Sequence, residues 1–201
     1  MKAFLLVLMM NGGFNFTANM RRVCEELVLR LPELSHIRLS QVAFAFAQAR
    51  NRSSYGTYAT LTPMRFEDGS LYTQKRGRRY MVRRLFDHDG SELLYIVTFY
   101  MPRFMDVDVV EKLSTVIHEL WHISPDFNGD IRRFPGRCYA HSSSQKEYDR
   151  EMDQMAIRFL ESDPPESVYG FLRYRFDDLA SKHGTVYGAK IKHPKLIRCN
   201  D

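Results

Sequence analysis

Residues 116–130 read VIHELWHISPDFNGD and contain two histidines, His118 and His122, with Glu119 directly after the first. Residues four positions apart on an α-helix project from the same face, with their Cβ atoms about 6 Å apart. Both imidazoles can therefore meet one metal ion at ~2.0–2.1 Å, the distance at which histidine nitrogens bind zinc. The stretch predicts a helix that carries a zinc site.

Glu119 leaves such a helix roughly 100° around from His118, so it need not bind the metal. It can instead take a proton from a zinc-activated water and return it to a leaving amine. A chance H-E-x-x-H is expected in about one chain of this kind in a hundred. Burying these two histidines and the glutamate without a binding partner would also cost much desolvation free energy. The pattern favours a peptidase with His118 and His122 as ligands and Glu119 as general base.

A catalytic zinc normally has three protein ligands and one open position. His141 is the favoured third ligand, because the turn-rich segment after His122 lets the chain return and His141 directly precedes a predicted helix. Glu147 and Asp149 on that helix are the alternatives. Cys138 is expected to pack rather than bind metal.

Other polar residues near the motif have weaker functional interpretations. Tyr139 or Tyr148 could donate a hydrogen bond to a tetrahedral intermediate, and Asp126 or Asp130 could orient a ligand histidine. A turn or capping role is favoured for both aspartates. Arg132, Arg133 and Arg137 could hold a substrate carbonyl or carboxylate, although a structural or surface role is favoured for each.

The helix that carries the motif has a clear beginning and end. Asp108 and Glu111 form a capping-box-like pair at its start, and Pro125 stops it near Ser124. Further helices are predicted over 17–31 with Thr17 as the cap, over 144–162, and over 165–184 with Gly184 as the stop.

Strands are predicted before the motif helix and weakly at the end of the chain. Residues 37–49 alternate, with Val42, Phe44 and Phe46 on one face, and 55–66 form a second strand. Residues 79–86 and 92–101 are expected to pair as a hairpin through DHDG, and the nearly continuous apolar run of 92–101 indicates a central strand. The tail is expected to add an edge strand or to wrap the surface.

Together these elements predict an α+β fold, in which a small, mostly antiparallel or mixed sheet packs against the H-E-x-x-H helix and further helices follow. No linker or internal repeat divides residues 1–201, so we expect one domain. Its core covers about 14–162, with a C-terminal helix and tail over 163–201.

The chain has 29 Lys and Arg against 24 Asp and Glu, and much of the excess lies in QKRGRRYMVRR, residues 74–84. Such a run favours a solvated hairpin edge. A weak contact with nucleic acid or an acidic partner is the alternative, although no aromatic-rich single-strand motif or recognition-helix pattern accompanies it.

Three isolated cysteines, Cys24, Cys138 and Cys199, argue against a disulfide framework or a zinc ribbon and fit a reducing compartment. The start of the chain, up to Gly13, imitates a short signal peptide but lacks a cleavage site, and is interpreted as an ordinary segment. No apolar run approaches the ~20 residues that span a membrane. We therefore expect a cytoplasmic protein.

The stretch HELWHISPDFNGDIRRFPGRCYAHSSSQKEYD, residues 118–149, resembles the phage metallopeptidase domain family, a group of small zincin-like proteins from phages and bacteria. Residues 41–66 and 92–104 resemble that family's strands. The resemblance implies a minimal zincin fold, with His118 and His122 as ligands and Glu119 as general base. It favours His141 as the third ligand, because GRCYAHS matches as a block.

The sequence therefore predicts a zinc-dependent metallopeptidase that acts on a peptide or protein substrate. The strand at 92–101, or the one at 37–49, could present an edge to an extended peptide. Two other classes stay open. One is a non-proteolytic zinc-binding module that contacts nucleic acid or protein, and the other is a zinc hydrolase of a non-peptide amide or ester.

Overall fold

The computed structural model of the chain describes residues 12–49, 56–133 and 145–199. The α-helices in these ranges are α1 (Phe16–Arg30), α2 (Val109–Trp121), α3 (Gln145–Glu161), α4 (Glu166–Tyr169) and α5 (Phe176–His183). The strands are β1 (Gly13–Asn15), β2 (Val42–Gln48), β3 (Ala59–Pro63), β4 (Tyr72–Lys75), β5 (Arg78–Val82), β6 (Leu85–Phe86), β7 (Glu92–Leu93), β8 (Tyr95–Met101), β9 (Thr185–Tyr187) and β10 (Leu196–Arg198). No helix of the described part is long and apolar enough to cross a membrane.

The central sheet has the order β2-β8-β3, with β8 parallel to β2 and antiparallel to β3. The sheet is mixed and the fold is α+β, as predicted. The expected central position of the apolar strand is confirmed for β8. A strand between two neighbours has no open edge, so the expectation that 92–101 offers an edge to a peptide is wrong. β2 is also partly covered, because the Phe46 N–H donates to the Ala189 carbonyl (2.7 Å).

The two faces of the central sheet bury different cores. Val42 and Phe44 of β2 face the main core with the helices, together with the odd-numbered residues of β8. Ala43 and Ala45 face a small second core on the opposite side, with Met64 and Ile96. The alternation predicted for 37–49 is therefore confirmed within β2, whereas Leu39–Gln41 form a 3-10 turn instead of the start of the strand. Helix α2 lies on the main-core side.

Helix α2 begins as predicted, because the Asp108 side chain accepts the Glu111 N–H (2.9 Å). Its apolar face is buried in the main core, and Lys112 is buried beside it at 1% exposure. The Lys112 ammonium donates to the carbonyls of Leu172 (2.7 Å) and Tyr174 (2.9 Å), which fastens the C-terminal region onto α2.

The single helix predicted over 165–184 is wrong. The chain forms α4, a short 3-10 turn over Gly170–Arg173, and then α5 after extended residues at Tyr174 and Arg175. The backbone is extended at Tyr174 and Arg175, and the Leu172 and Tyr174 carbonyls accept hydrogen bonds from the Lys112 ammonium at this break. Gly184, with φ 78°, ends α5 as predicted.

The first helix starts two residues earlier than its predicted cap allows. Asn15 is the N-cap and accepts the Ala18 N–H (3.1 Å), whereas Thr17 is buried inside the first turn. The Thr17 hydroxyl accepts the Ala189 N–H (3.0 Å) from the far end of the chain. Nearby, β1 pairs in parallel with β9.

The hairpin predicted through DHDG exists only as the two-residue strands β6 and β7. β5 instead pairs antiparallel with β4 on one side and with β10 on the other. The tight turn between β4 and β5 is made by Arg76 and Gly77, with φ 52° and 71°. The basic run thus forms a solvated hairpin, and the tail adds an edge strand, as predicted.

Candidate metal centre and active site

His118 and His122 lie at the C-terminal end of α2, both half-buried. Their Nε2 atoms are 3.0 Å apart, and the ring planes are inclined at 79°. Two nitrogen ligands of a tetrahedral zinc ion, each at ~2.0–2.1 Å, lie about 3.3 Å from one another. The pair therefore fits a single metal ion with little side-chain adjustment.

Glu119 points from α2 towards β3 and is only 9% exposed. Burial raises the pKa of Glu119 to about 7, and a hydrogen bond from the Leu61 N–H partly opposes that rise. A carboxyl group with a pKa near neutrality can both accept and donate a proton under ordinary conditions. The sequence predicted the residue but not Leu61, because their contact depends on how α2 and the sheet pack.

Tyr148 of α3 covers the two histidines. Its ring centroid is 5.0 Å from that of His118, edge to face, and 6.2 Å from that of His122, nearly parallel. Burial, followed by the charge of Glu119, raises the pKa of Tyr148, so its hydroxyl stays protonated. The structure thus places Tyr148 at the site, whereas Tyr139 and Arg137 lie outside the described residues.

The chain reverses directly after the histidines. Ile123 and Ile131 form an antiparallel bridge, and the Arg132 N–H donates to the His122 carbonyl (2.7 Å). The Arg132 guanidinium donates to the Trp121 carbonyl (2.7 Å) and lies over its indole ring. Arg132 is therefore a structural residue of the turn, as favoured from the sequence.

Asp130 also belongs to the turn. Its buried carboxylate accepts the N–H groups of Asp68 (3.1 Å) and Ile131 (2.8 Å) and binds the Arg133 guanidinium (2.9 Å). These bonds give Asp130 and Arg133 a structural role, as favoured from the sequence. Asp126 is exposed on the same turn.

Gly129 allows this turn to close. It has φ 90°, its N–H donates to the Tyr95 hydroxyl (2.9 Å), and an added Cβ would lie 2.4 Å from Cγ of Arg65. We expect Gly129→Ala to lower the free energy of unfolding by about 2–4 kcal/mol, measured by urea denaturation. Gly90→Ala is the matched control, because Gly90 has φ 81° but open space around it. Equal losses in the two variants would contradict the clash.

Among the described residues, no candidate for a third ligand lies close to both histidine nitrogens. His141, the favoured residue, and Cys138 both lie outside them. Glu147 and Asp149 are exposed on α3, and Asp149 borders the same groove as His118. The described chain contains no His, Cys, Asp or Glu whose ligand atom lies within 4.8 Å of both histidine nitrogens.

A groove of about 740 Å³ runs past His118 and Glu119, between α2, α3 and the start of β3. Its remaining charged lining residues are all acidic, and they are Asp108, Glu111, Asp149 and Asp153. None of the described residues that line it is Lys or Arg. The groove can therefore accommodate a chain segment and favours positive charge.

The fold and the histidine–glutamate site define a small metallopeptidase-like α+β domain. The chain belongs to the family described as "Putative phage metallopeptidase", whose model matches residues 17–157. The resemblance stated from the sequence is thereby confirmed, and the family name implies a metal ion. No curated protein and no solved structure matches the chain significantly.

Proposed function

We propose that this protein is a zinc-dependent metallopeptidase that hydrolyses peptide bonds. The observation that carries the proposal is the approach of the His118 and His122 Nε2 atoms to 3.0 Å beside the buried carboxyl of Glu119. Membership of the metallopeptidase family supports the same class of activity.

We propose His118, His122 and His141 as the zinc ligands. The described residues supply two converging nitrogens, and the segment 134–144 contains His141 and Cys138 as its remaining candidates. Zinc bound there would polarise the scissile carbonyl and lower the pKa of a water molecule.

We propose Glu119 as the group that transfers the proton during catalysis. Its carboxylate accepts the proton of the attacking water and then delivers it to the nitrogen of the leaving amine. The Leu61 N–H holds the carboxylate in place, and the raised pKa of Glu119 suits a group that must first accept and then donate. The protonated Tyr148 hydroxyl is the nearest candidate on α3 for a hydrogen bond to the developing oxyanion.

The substrate would bind along the outer edge of β3. The pairing of Tyr58 with Tyr100 and of Met64 with Leu94 uses the even-numbered residues of this strand. In an antiparallel ladder the backbone groups alternate, so those of Ala59 and Leu61 point away from β8. Because the Leu61 N–H is bound to Glu119, the groups open to a peptide are the N–H and carbonyl of Ala59 and the carbonyl of Leu61. An extended peptide can add to this edge as a further strand and pass Glu119.

The test is cleavage of matched peptides that differ only in the charge of one residue near the scissile bond. We expect zinc-dependent cleavage, lost on chelation and restored by zinc, with Lys- and Arg-containing peptides cleaved faster than Asp- and Glu-containing ones. Asp153→Asn should reduce the preference for basic peptides about fivefold, the value of one charge contact of ~1 kcal/mol. Glu161→Gln, an exposed acid of the same helix outside the groove, is the control.

Two results would contradict this proposal. The absence of cleavage of peptides and denatured protein by zinc-loaded protein would exclude the peptidase. Hydrolysis of simple esters or amides without peptide cleavage would favour the non-peptide hydrolase.

A further inference from the structure

Two segments far apart in the sequence, 71–84 and 188–199, contribute the strands of one sheet with the order β10-β5-β4. We call these two segments the basic sheet. They contain no Asp or Glu, and their cationic residues are Lys75, Arg76, Arg78, Arg79, Arg83, Arg84, Lys190, Lys192, Lys195 and Arg198. Because the whole chain has a net charge of only +5, the remainder of the protein is net acidic. Folding therefore concentrates positive charge in one place.

These cations are available for binding. All ten side chains are exposed. Arg84 forms an ion pair with Glu92, whereas the other nine have no carboxylate partner among the described residues. An exposed set of like charges without internal partners destabilises the compact state slightly, and a polyanionic ligand would relieve that repulsion.

The charge lies on both faces of the projecting hairpin. Residues opposite one another in an antiparallel pair share a face, so Arg79 lies with Gln74, and Arg78 lies with Lys75 on the other face. The Arg79 guanidinium also stacks on the exposed ring of Tyr72, with its carbon 3.6 Å from the ring centroid. A flat anionic membrane meets only one face of such a ribbon. The major groove of a nucleic-acid duplex, about 12 Å wide in B-DNA, has phosphates on both sides of an inserted two-stranded ribbon.

The basic sheet is separated from the acidic groove by the central sheet. Val82 of β5 and Ile191 of the tail pack on the small core of Ala43 and Ile96, on the face of the central sheet opposite α2. A polyanion on the basic sheet would therefore leave His118 and the groove accessible. The acidic lining of the groove repels a nucleic acid from that site.

We propose that the basic sheet binds the phosphate backbone of nucleic acid, independently of base sequence. A planar arginine guanidinium can donate two parallel hydrogen bonds to the oxygens of one phosphate. Six of the ten cations are arginines. The Tyr72 ring and the exposed Phe86 add surfaces on which an unpaired base could stack.

The test uses the full-length protein and a fluorescent DNA duplex of mixed sequence, with anisotropy measured between about 50 and 200 mM salt. Removing the hairpin tip charges in Lys75→Gln/Arg76→Gln/Arg78→Gln should weaken binding about tenfold or more at the middle of this range. It should also reduce the slope of log affinity against log salt by about 3, because each phosphate contact contributes about 0.9.

The matched control removes three exposed cations from elsewhere, in Arg22→Gln/Arg150→Gln/Arg175→Gln, and changes the net charge by the same amount. Its binding should stay close to that of the wild type. Equal weakening in both variants would mean that only net charge matters and would overturn the proposal.

Four further arms complete the test. The tail variant Lys190→Gln/Lys192→Gln/Lys195→Gln should also weaken binding, which keeps the proposal testable if the tip variant does not fold. A single strand of the same length distinguishes groove binding from base stacking, and stronger binding to either form supports the proposal.

Binding to anionic phospholipid vesicles with none to either DNA would overturn it. Glu119→Gln should bind DNA like the wild type, so the test is independent of peptidase activity.

Discussion

Glu119→Gln is expected to lower kcat for peptide hydrolysis by about 10²–10⁴-fold while the metal content of the protein stays unchanged. Glutamine has the shape of glutamate, and its amide oxygen can still accept the hydrogen bond from the Leu61 N–H. It cannot accept a proton, so the attacking water loses its general base. The two measurements are steady-state cleavage of a peptide that the wild type cleaves and elemental analysis of the same samples.

Glu111→Gln is the matched control for this effect. Glu111 is an exposed carboxylate on the same helix and lines the same groove, but it is not beside the histidines in the sequence. Its replacement should change kcat by less than about threefold, the effect of a weak surface charge. A loss of about tenfold or less in Glu119→Gln, with metal retained, would show that Glu119 is not the base.

His118→Ala is expected to abolish stoichiometric zinc binding and peptide cleavage together. The apparent zinc-binding free energy of a four-ligand structural site is about 10–16 kcal/mol, so one ligand is worth on the order of a hundredfold or more in affinity. Elemental analysis after dialysis should find close to one zinc per wild-type chain and almost none in the variant. His193→Ala is the control, because His193 is exposed and belongs to no group of three candidate metal ligands among the described residues. Zinc retained in full by His118→Ala would contradict the proposed site.

The same measurement identifies the third ligand. We expect His141→Ala to lose zinc and Cys138→Ser to keep it. Glu147→Gln and Asp149→Asn should also keep zinc, because neither carboxylate lies within ligand distance of both histidine nitrogens in the structure. Loss of zinc in one of these two, with zinc retained in His141→Ala, would move the third ligand to α3.

The motif helix and the central sheet could be predicted from the sequence because their determinants are local. The Asp108–Glu111 cap, the four-residue spacing of the histidines and the alternation of 42–46 each depend on neighbouring residues only. Hydrophobic periodicity and side-chain spacing are sufficient for such features.

The features that could not be predicted depend on contacts between distant segments. The Leu61–Glu119 bond exists because β3 is the sheet edge nearest to α2, and strand order is not encoded in any one segment. The helix predicted over 165–184 is broken where the Leu172 and Tyr174 carbonyls bind the ammonium group of Lys112, a residue of a distant helix. Strand β4 could not be predicted from the sequence, because its turn into β5 contains Arg76 and Gly77 rather than the usual Asn-Gly or Asp-Gly pair.

The contact between the two distant ends of the described chain affects the timing of folding during synthesis. Thr17 and Ala189, whose hydrogen bond spans 172 positions, can meet only after Ala189 has left the ribosome. At about 5–20 residues per second, this takes roughly ten to thirty seconds after helix α1 is synthesised. During that interval the apolar face of α1 lacks part of its cover, so the nascent chain exposes apolar surface for longer than a domain of mostly local contacts would.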